Sequence, residues 1–448
     1  MTPVAQKALA AVPAPRPVRA GWLSWLGRGA WAVGDQGLFA ASNFLVNVLL
    51  ARRLPVHEFG AFVLAYAVFQ LLGQVYIGMV VEPLQVFGAG KHGGEHLPRY
   101  LRTLLRGHWL FAGVGSLLFA VTALALWRLG TAVLAGAFLG LAVAAPFIAL
   151  SWSLRTACYV RGRLPLAATG GAVNLLLVLL GTQLLHVFGA LSVFNAVLVI
   201  GFASLVACLW LSVGLRVPPA AADLGVRTIA RDHWVYGRWS TGAGLLGWVP
   251  TEIFYVVLPI WGSLQDTAAL KALMNLLVPA LQTQFVLGNL LTPALVRLRG
   301  RPEFTHTLAV ASGAAAVAFS GYWVVVGVLH EPLTRWLYAG RFVEQSSLLW
   351  AFGAVPLLGG LAAVMTSALR ALERPDRVFW AAVASGAVAV ASLAIVAAWG
   401  IHGVAAGRAL SALVFLALME AFVVRFTRQE RRGNDLVVVT PTADTWRP

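Results

Sequence analysis

The chain has 448 residues, of which 59% are hydrophobic and only 11% charged, against about 25% charged in an ordinary soluble domain. With a mean hydropathy of +0.80 it has more apolar surface than a water-soluble core can hide, which excludes a soluble enzyme, a disulfide-stapled secreted scaffold and a disordered chain, and points to an integral membrane protein. The net charge of +16 is dispersed over short loops rather than gathered on one basic domain, so no nucleic-acid partner is expected.

Residues 1–20 are rich in Ala and Pro and carry Lys7, Arg16 and Arg19. They lack the short apolar core and cleavage site of a signal peptide and read as a cytoplasmic tail. Residues 21–30, with Trp22 and Trp25, read as a short interfacial segment. Twelve stretches long enough to span a bilayer follow: 31–50, 61–87, 108–127, 131–154, 165–187, 190–215, 240–263, 268–296, 307–329, 346–369, 378–400 and 403–424. The short alternating segments of a barrel are not seen. All Lys and Arg except Arg52, Arg53, Arg128, Lys271, Arg335, Arg341 and Arg408 fall in the two tails or the even-numbered connections. That bias recurs at every loop pair and predicts an even number of spans with both termini in the cytoplasm.

The longest connection, 216–239, is basic and Pro/Ala-rich and divides the spans six and six. The expected organisation is a tail and interfacial segment (1–30), an N-terminal six-helix lobe (31–215), a cytoplasmic linker (216–239), a C-terminal six-helix lobe (240–425) and a second tail (426–448). The halves match weakly at an offset of 210 residues, where Phe44 meets Phe254, Gln74 meets Gln284, Gly78 meets Gly288 and Pro83 meets Pro293. At an offset of 215, Leu154-Arg155 meets Leu369-Arg370, and Gly171-Ala172-Val173 meets Gly386-Ala387-Val388. An offset of six spans preserves orientation, so this is a parallel repeat of the kind found in two-lobed transporters; compositional coincidence is the competing account.

Three spans carry polar stripes at helical spacing. Span 1 has Gln36, Asn43 and Asn47 on one face with Asp35 to the side; span 2 has Gln70, Gln74, Glu82 and Gln85 on one arc with Gly78; span 8 has Lys271, Asn275, Gln282 and Asn289. Facing lipid they would be costly, so they are expected to line a wet cavity, the alternative being hydrogen bonds between helices. Lys271 and Arg408 lie about one turn inside the outer ends of spans 8 and 12. Asp35, Glu82 and Arg155 are expected near the inner boundary of the first lobe, where a salt-bridged gate is one reading and plain positive-inside anchoring of Arg155 the other. Glu252 is the deepest acid and the candidate for coupling to a proton or cation, with a structural ion pair as the alternative. Arg52 and Arg53 sit outside against the charge trend. Cys158 and Cys208 read as free thiols. No GxSxG, HExxH, CxxC or GxxxxGK[ST] motif occurs, so no catalytic constellation, metal site or cofactor is expected.

The run GDQGLFAASNFLVNVLLARRLPVHEFGAFVLAYAVF (34–69), followed by VVEPLQVFGAG (80–90), resembles the Wzx-like polysaccharide-unit flippases of the multidrug/oligosaccharidyl-lipid/polysaccharide exporter superfamily. The ARxL…EFGxF turn (51–62), Glu82-Pro83, and Pro279 and Pro293 in span 8 carry the resemblance. It implies an all-α membrane fold of twelve helices in two six-helix lobes forming a V. It also implies a bacterial inner-membrane protein that turns a polyprenyl-diphosphate-linked oligosaccharide from the inner to the outer leaflet by alternating access, for O-antigen, capsule or exopolysaccharide synthesis. The partners implied are that lipid-linked substrate, the membrane lipid, a polysaccharide polymerase and a coupling ion, H+ or Na+. Lumenal cations hold the diphosphate in such proteins, and Lys271 best fits that role. Two other functions stay open at this point. One is a cation-coupled multidrug exporter of the same superfamily, with Asp35 and Glu82 as its acids. The other is a membrane polysaccharide polymerase or glycosyltransferase, for which the 330–345 loop is short.

Overall fold

A computed structural model describes residues 22–216 and 226–438; the expected tail over 1–20, residues 217–225 of the expected 216–239 linker and the last ten residues lie outside them, while 226–239 of that linker are the start of a helix, Val226–Trp261. Among the described residues the chain is helical throughout, and the helices follow its apolar runs. They are α1 (Trp22–Arg53), α2 (Val56–Ala89), α3 (Leu97–Arg128), α4 (Ala132–Val160), α5 (Leu164–Val187) and α6 (Val193–Leu215), then α7 (Val226–Trp261), α8 (Leu264–Leu298) and α9 (Glu303–Val328). A short α10 (His330–Tyr338) precedes α11 (Ala354–Ala371), α12 (Pro375–Ala391) and α13 (Leu393–Val438). Ser192 caps α6 by accepting from the Asn195 N–H, and Ser263 with Asp266 forms a reciprocal capping box at α8, which fixes where those helices start.

Ten of these helices are long and apolar enough to cross a membrane. The eleventh expected span is shortened by a break at Ser392, and α13 contains the remainder of it. Within α13, Gly400 has φ 54° and ψ −130°, a conformation open essentially to glycine. The chain reverses there. A Cβ built on Gly407 would lie 2.4 Å from the Ser392 Oγ, although fifteen residues of straight helix would span about 22 Å. Residues 375–399 and 401–438 are therefore antiparallel passes, and the Ser385 hydroxyl donates across them to the Ser411 carbonyl at 3.0 Å. The first pass differs from expectation in the other direction. No proline interrupts Trp22–Arg53, so the predicted interfacial segment and span 1 form one continuous helix.

Equivalent helices pack in equivalent pairs. In the first half α1 lies on α5, α5 on α6, α6 on α4, α4 on α3 and on α2; in the second half α7 lies on α12, α12 on α13, α13 on α11, α11 on α9 and on α8. That correspondence is the parallel repeat seen as packing. The halves meet through α1, α2, α7 and α8.

The even number of passes puts the start of α1 and the end of α13 on one face of the bundle, here the terminal face. On the opposite face a single core runs across both halves, joining Leu50, Leu54, Phe59 and Phe62 to Leu270, Leu273, Tyr338 and Phe352. Gly60 there touches the α8 backbone, since a Cβ on it would fall 1.9 Å from the Leu264 carbonyl oxygen. Toward the terminal face the core divides, one part around Leu84, Tyr100 and Leu154 and one around Leu295, Phe304 and Leu369. The terminal end of α7 alone reaches across: Gly237 meets the Gly78 carbonyl, and His233 hydrogen-bonds Tyr100 and the Met79 carbonyl, each at 2.7 Å. This contact falls on a π-helical turn of α2, Ile77–Val81, a distortion common at functional positions.

Candidate functional site

A cavity of about 400 Å³ lies where the polar stripes of α1, α2 and α8 converge. Its walls also include α4, α5, α6 and α7, so most of its lining comes from the first half. Asn43 and Asn47 from α1, Gln70 from α2, and Lys271, Asn275 and Gln282 from α8 all face it, as do Asp35, Arg155 and Glu252. The helical registers read from the sequence thus bring nine of the thirteen candidate residues to one space. The pyrrolidine of Pro279 cannot donate to the Asn275 carbonyl one turn back, which loosens the α8 backbone beside the cavity.

The lining is polar but largely uncharged. Asp35, whose side chain is 0% exposed, is held by Arg155: Nη2 donates to Oδ2 at 2.6 Å, Nε to both carboxylate oxygens at 3.1 and 3.2 Å, and Nη2 to the Asp35 carbonyl at 3.2 Å. The Tyr159 hydroxyl donates to the same carboxylate. This arrangement joins α1 to α4 inside the first half; it does not bridge the two halves. Two charged groups of the cavity remain. Lys271 Nζ stands 5.2 Å from the Tyr255 ring centroid. Neither Lys271 nor Glu252 takes a hydrogen bond or an ion pair among the described residues. The lining is therefore balanced, Lys271 and Arg155 against Glu252 and Asp35.

Several neutral groups are also unsatisfied within the protein. The side-chain amides of Asn43, Gln70 and Gln282, the Tyr66 hydroxyl and the Trp152 indole N–H make no hydrogen bond among the described residues, and Asn47 Oδ1 is buried without a partner. Asn43 and Gln282 are exposed to this space and Gln70, Tyr66 and Trp152 half-buried; Asn47 Oδ1 is fully buried, where polar atoms are normally paired. A membrane-embedded wall of unpaired amides fits water or a polar ligand.

The other four candidates lie elsewhere. Arg408 is buried between α13 and α7, donates to the Thr251 carbonyl and stands 5.5 and 5.2 Å from the Phe254 and Tyr255 ring centroids. The hairpin at Gly400 turns it toward α7 rather than the cavity. Gln74, one turn beyond Gln70, sits at the α2–α7 crossing, where a Cβ on Gly244 would be 2.8 Å from its Oε1. Glu82 accepts from the Ser240 hydroxyl on α7 and does not join Asp35 and Arg155, because the α7 crossing captures the terminal end of α2. The side chain of Asn289 lies outside the described residues.

The sequence reading missed Tyr66, Trp152, Tyr159 and Asn174. The signal was present for α4: Trp152, Arg155 and Tyr159 fall at spacings of three and four, one face of a helix. Arg52 and Arg53 touch the protein as well. Arg53 Nη1 meets His186 Nε2 at 3.0 Å, and Arg52 Nη1 reaches the Trp336 carbonyl at 3.4 Å. Cys158 and Cys208 are free and buried.

No protein-family model matches the sequence, and no curated protein matches it by sequence. Solved structures do share its fold. An inward-facing conformation of a multidrug resistance MATE family transporter of the MOP superfamily superposes with a TM-score of 0.71 at 12% identity, covering 86% of this chain and 95% of the other. The lipid II flippase MurJ in an inward closed conformation superposes with 0.67 at 13% identity, covering 93% and 94%. An outward-facing MATE family transporter superposes less well, with 0.58 at 12% identity over 88% and 94%. The fold is that of the MOP transporters and flippases.

Proposed function

We propose that this chain is a flippase that turns polyprenyl-diphosphate-linked oligosaccharide repeat units from the inner to the outer leaflet of a bacterial cytoplasmic membrane. The observation that carries this reading is the cavity wall: unpaired amides and one unpaired cation, Lys271, suit a sugar headgroup and its phosphate. The fold it shares with a lipid II flippase over nearly the whole chain supports the same reading. The bias of Lys and Arg toward the terminal face supports a cytoplasmic orientation for it. On that orientation the continuous core seals the outer face and the described state is the inward-facing one, a reading supported by the better superposition on the inward-facing than on the outward-facing MATE family transporter.

The mechanism follows from solvation. Sugar hydroxyls and a diphosphate cannot cross hydrocarbon bare, so they pass through the cavity while the prenyl tail stays in lipid. Lys271 holds the phosphate as a point charge. Exposure to the outer side requires the α2–α8 contact at Gly60 and Leu264 to part, with the halves hinging as rigid bodies.

A cation-coupled drug exporter is the second reading, favoured by the unpaired Glu252 and the superposition on a MATE family transporter. It is weakened because its two expected acids, Asp35 and Glu82, do not face one another and Asp35 already has a cation. The deciding experiment deletes the gene and locates the lipid-linked oligosaccharides with a membrane-impermeant sugar-modifying probe on oriented vesicles. Completed units held on the cytoplasmic side, restored by the wild type and not by Lys271→Ala, support the flippase. An unchanged leaflet distribution with lost drug efflux, restored by the wild type and not by Glu252→Gln, supports the exporter. Complete units outside but unpolymerised point to a polymerase.

A further inference from the structure

The Lys271 end of the cavity accounts for a phosphate, and the rest of the wall has a chemistry of its own. Tyr66 and Gln70 lie one turn apart on α2 and face the cavity together. Trp152 of α4 lies beside them: its ring is 5.6 Å from Phe69 and would meet a Cβ on Gly73 at 3.1 Å, while Gln70 Oε1 lies 3.7 Å from that same point. Asn43 faces the same space from α1. Two aromatic rings with polar tips and two amides, each amide able to donate and accept, suit a ring of hydroxyls and apolar C–H faces.

Charge narrows the ligand further. Arg155 is committed to Asp35, whose carboxylate also accepts from the Tyr159 hydroxyl. Glu252 faces the same space with no cation on it. A carboxylate on a sugar held at this wall would find no guanidinium to pair with and a like charge nearby. In a site removed from water both are costly.

We propose that Tyr66, Gln70, Trp152 and Asn43 form a subsite for uncharged sugar residues that discriminates against uronic acids. The proposal rests on the flippase reading and specifies its substrate class: a prenyl diphosphate whose cavity-bound sugars are neutral.

The test uses the purified full chain and three probes titrated calorimetrically: farnesyl diphosphate, its conjugate with a neutral hexose disaccharide, and its conjugate with a uronic-acid disaccharide. The neutral conjugate is expected to bind about tenfold more tightly than farnesyl diphosphate, as two well-used amides would supply, and the uronate conjugate is expected to gain nothing. The double variant Asn43→Ala/Gln70→Ala loses the sugar gain and keeps the farnesyl diphosphate affinity; exposed Asn43 and half-buried Gln70 are safer to truncate than Trp152, which packs on Phe69. Gln70→Lys raises affinity for the uronate conjugate, a gain that misfolding cannot mimic. Equal binding of both conjugates, or a sugar gain that survives the double variant, overturns the subsite. If farnesyl diphosphate binds and neither sugar adds to it, the subsite falls while the flippase reading stands. If no prenyl diphosphate binds but tetraphenylphosphonium does, the flippase reading falls and takes the subsite with it.

Discussion

Replacing Asp35 with Asn separates a structural carboxylate from a coupling carboxylate. The Asp35 side chain is fully buried and makes three contacts with the Arg155 guanidinium within 3.2 Å. Asn keeps the shape and removes the charge, leaving the guanidinium without its carboxylate. Breaking a fully buried pair from one side costs about 3–5 kcal/mol. Arg155 keeps 18% of its side-chain exposure toward the cavity, so water screens part of the loss, and about 2–3 kcal/mol is expected. The assay is thermal unfolding in detergent followed by intrinsic fluorescence from the 17 tryptophans, in which the variant should melt about 2–3 °C lower. Asp35→Asn combined with Arg155→Gln should recover part of that, because neither charge is then left alone, giving a coupling of about 1–2 kcal/mol. The reasoning fails if Asp35→Asn melts like the wild type, or if the double variant loses the sum of the single effects. The functional arm is equally direct. A stable double variant should still translocate its substrate; loss of transport without loss of stability would make Asp35 part of the transport step.

Three further predictions concern the closed face and the last hairpin. Arg341 Nη1 donates to the Ala51 carbonyl at 3.2 Å and to the Leu54 carbonyl, tying the segment after α10 to the end of α1. Arg341→Ala should remove about 1.5–3 kcal/mol from the state in which this face is closed. An Ala51→Cys reporter, buried in the closed face, should then label several-fold faster with an impermeant maleimide, and an unchanged rate would show that Arg341 does not hold that face shut. Gly60→Leu drives a side chain into the Leu264 backbone, so it should destabilise the closed face by at least about 1–3 kcal/mol and raise the same labelling; wild-type closure would refute the tight crossing. Gly400→Ala forces a non-glycine residue to φ 54° and ψ −130° and should lower the melting temperature by the equivalent of about 1–3 kcal/mol, with substrate affinity unchanged.

The spanning helices were legible because a bilayer imposes length and apolarity on each span in turn, without reference to its neighbours. The cavity-facing stripe of α8 was legible for the same local reason: Lys271, Asn275 and Gln282 share a face whatever packs on it. Partners were not legible. Gln70 and Gln74 share one face of α2, but α7 runs along that helix and packs Gly244 against Gln74, so one lines the cavity and the other does not. Glu82 has the periodicity of a gate residue and is taken by Ser240. Arg408 has the depth of a lumenal cation, and only the reversal at Gly400 shows that it points at Thr251. Each of these outcomes depends on a helix crossing, a quantity that periodicity in one segment does not contain.

The repeat also explains why the cavity belongs mainly to the first half. Arg155 and Arg370 occupy equivalent positions at the ends of α4 and α11, yet Arg155 turns inward and Arg370 is exposed at the terminal face. A guanidinium enters a membrane cavity only where an anion or hydrogen-bond acceptors compensate its lost hydration. In the first half that anion is Asp35. Its counterpart at the 210-residue offset is Leu245, and nothing at that position could hold Arg370 inside. The acid-to-leucine difference matches the inward turn of Arg155 onto Asp35 and the exposed position of Arg370. Introducing the acid should test the point: Leu245→Asp alone should destabilise the fold more than any Asp substitution on the terminal-face loops unless Arg370 turns in to meet it. Arg370→Ala measured in both backgrounds distinguishes the two outcomes. A cost of Arg370→Ala that is larger with Asp at 245 than with Leu shows that an acid there recruits the second arginine; equal costs would show that the inward turn of Arg155 depends on more of its surroundings than Asp35.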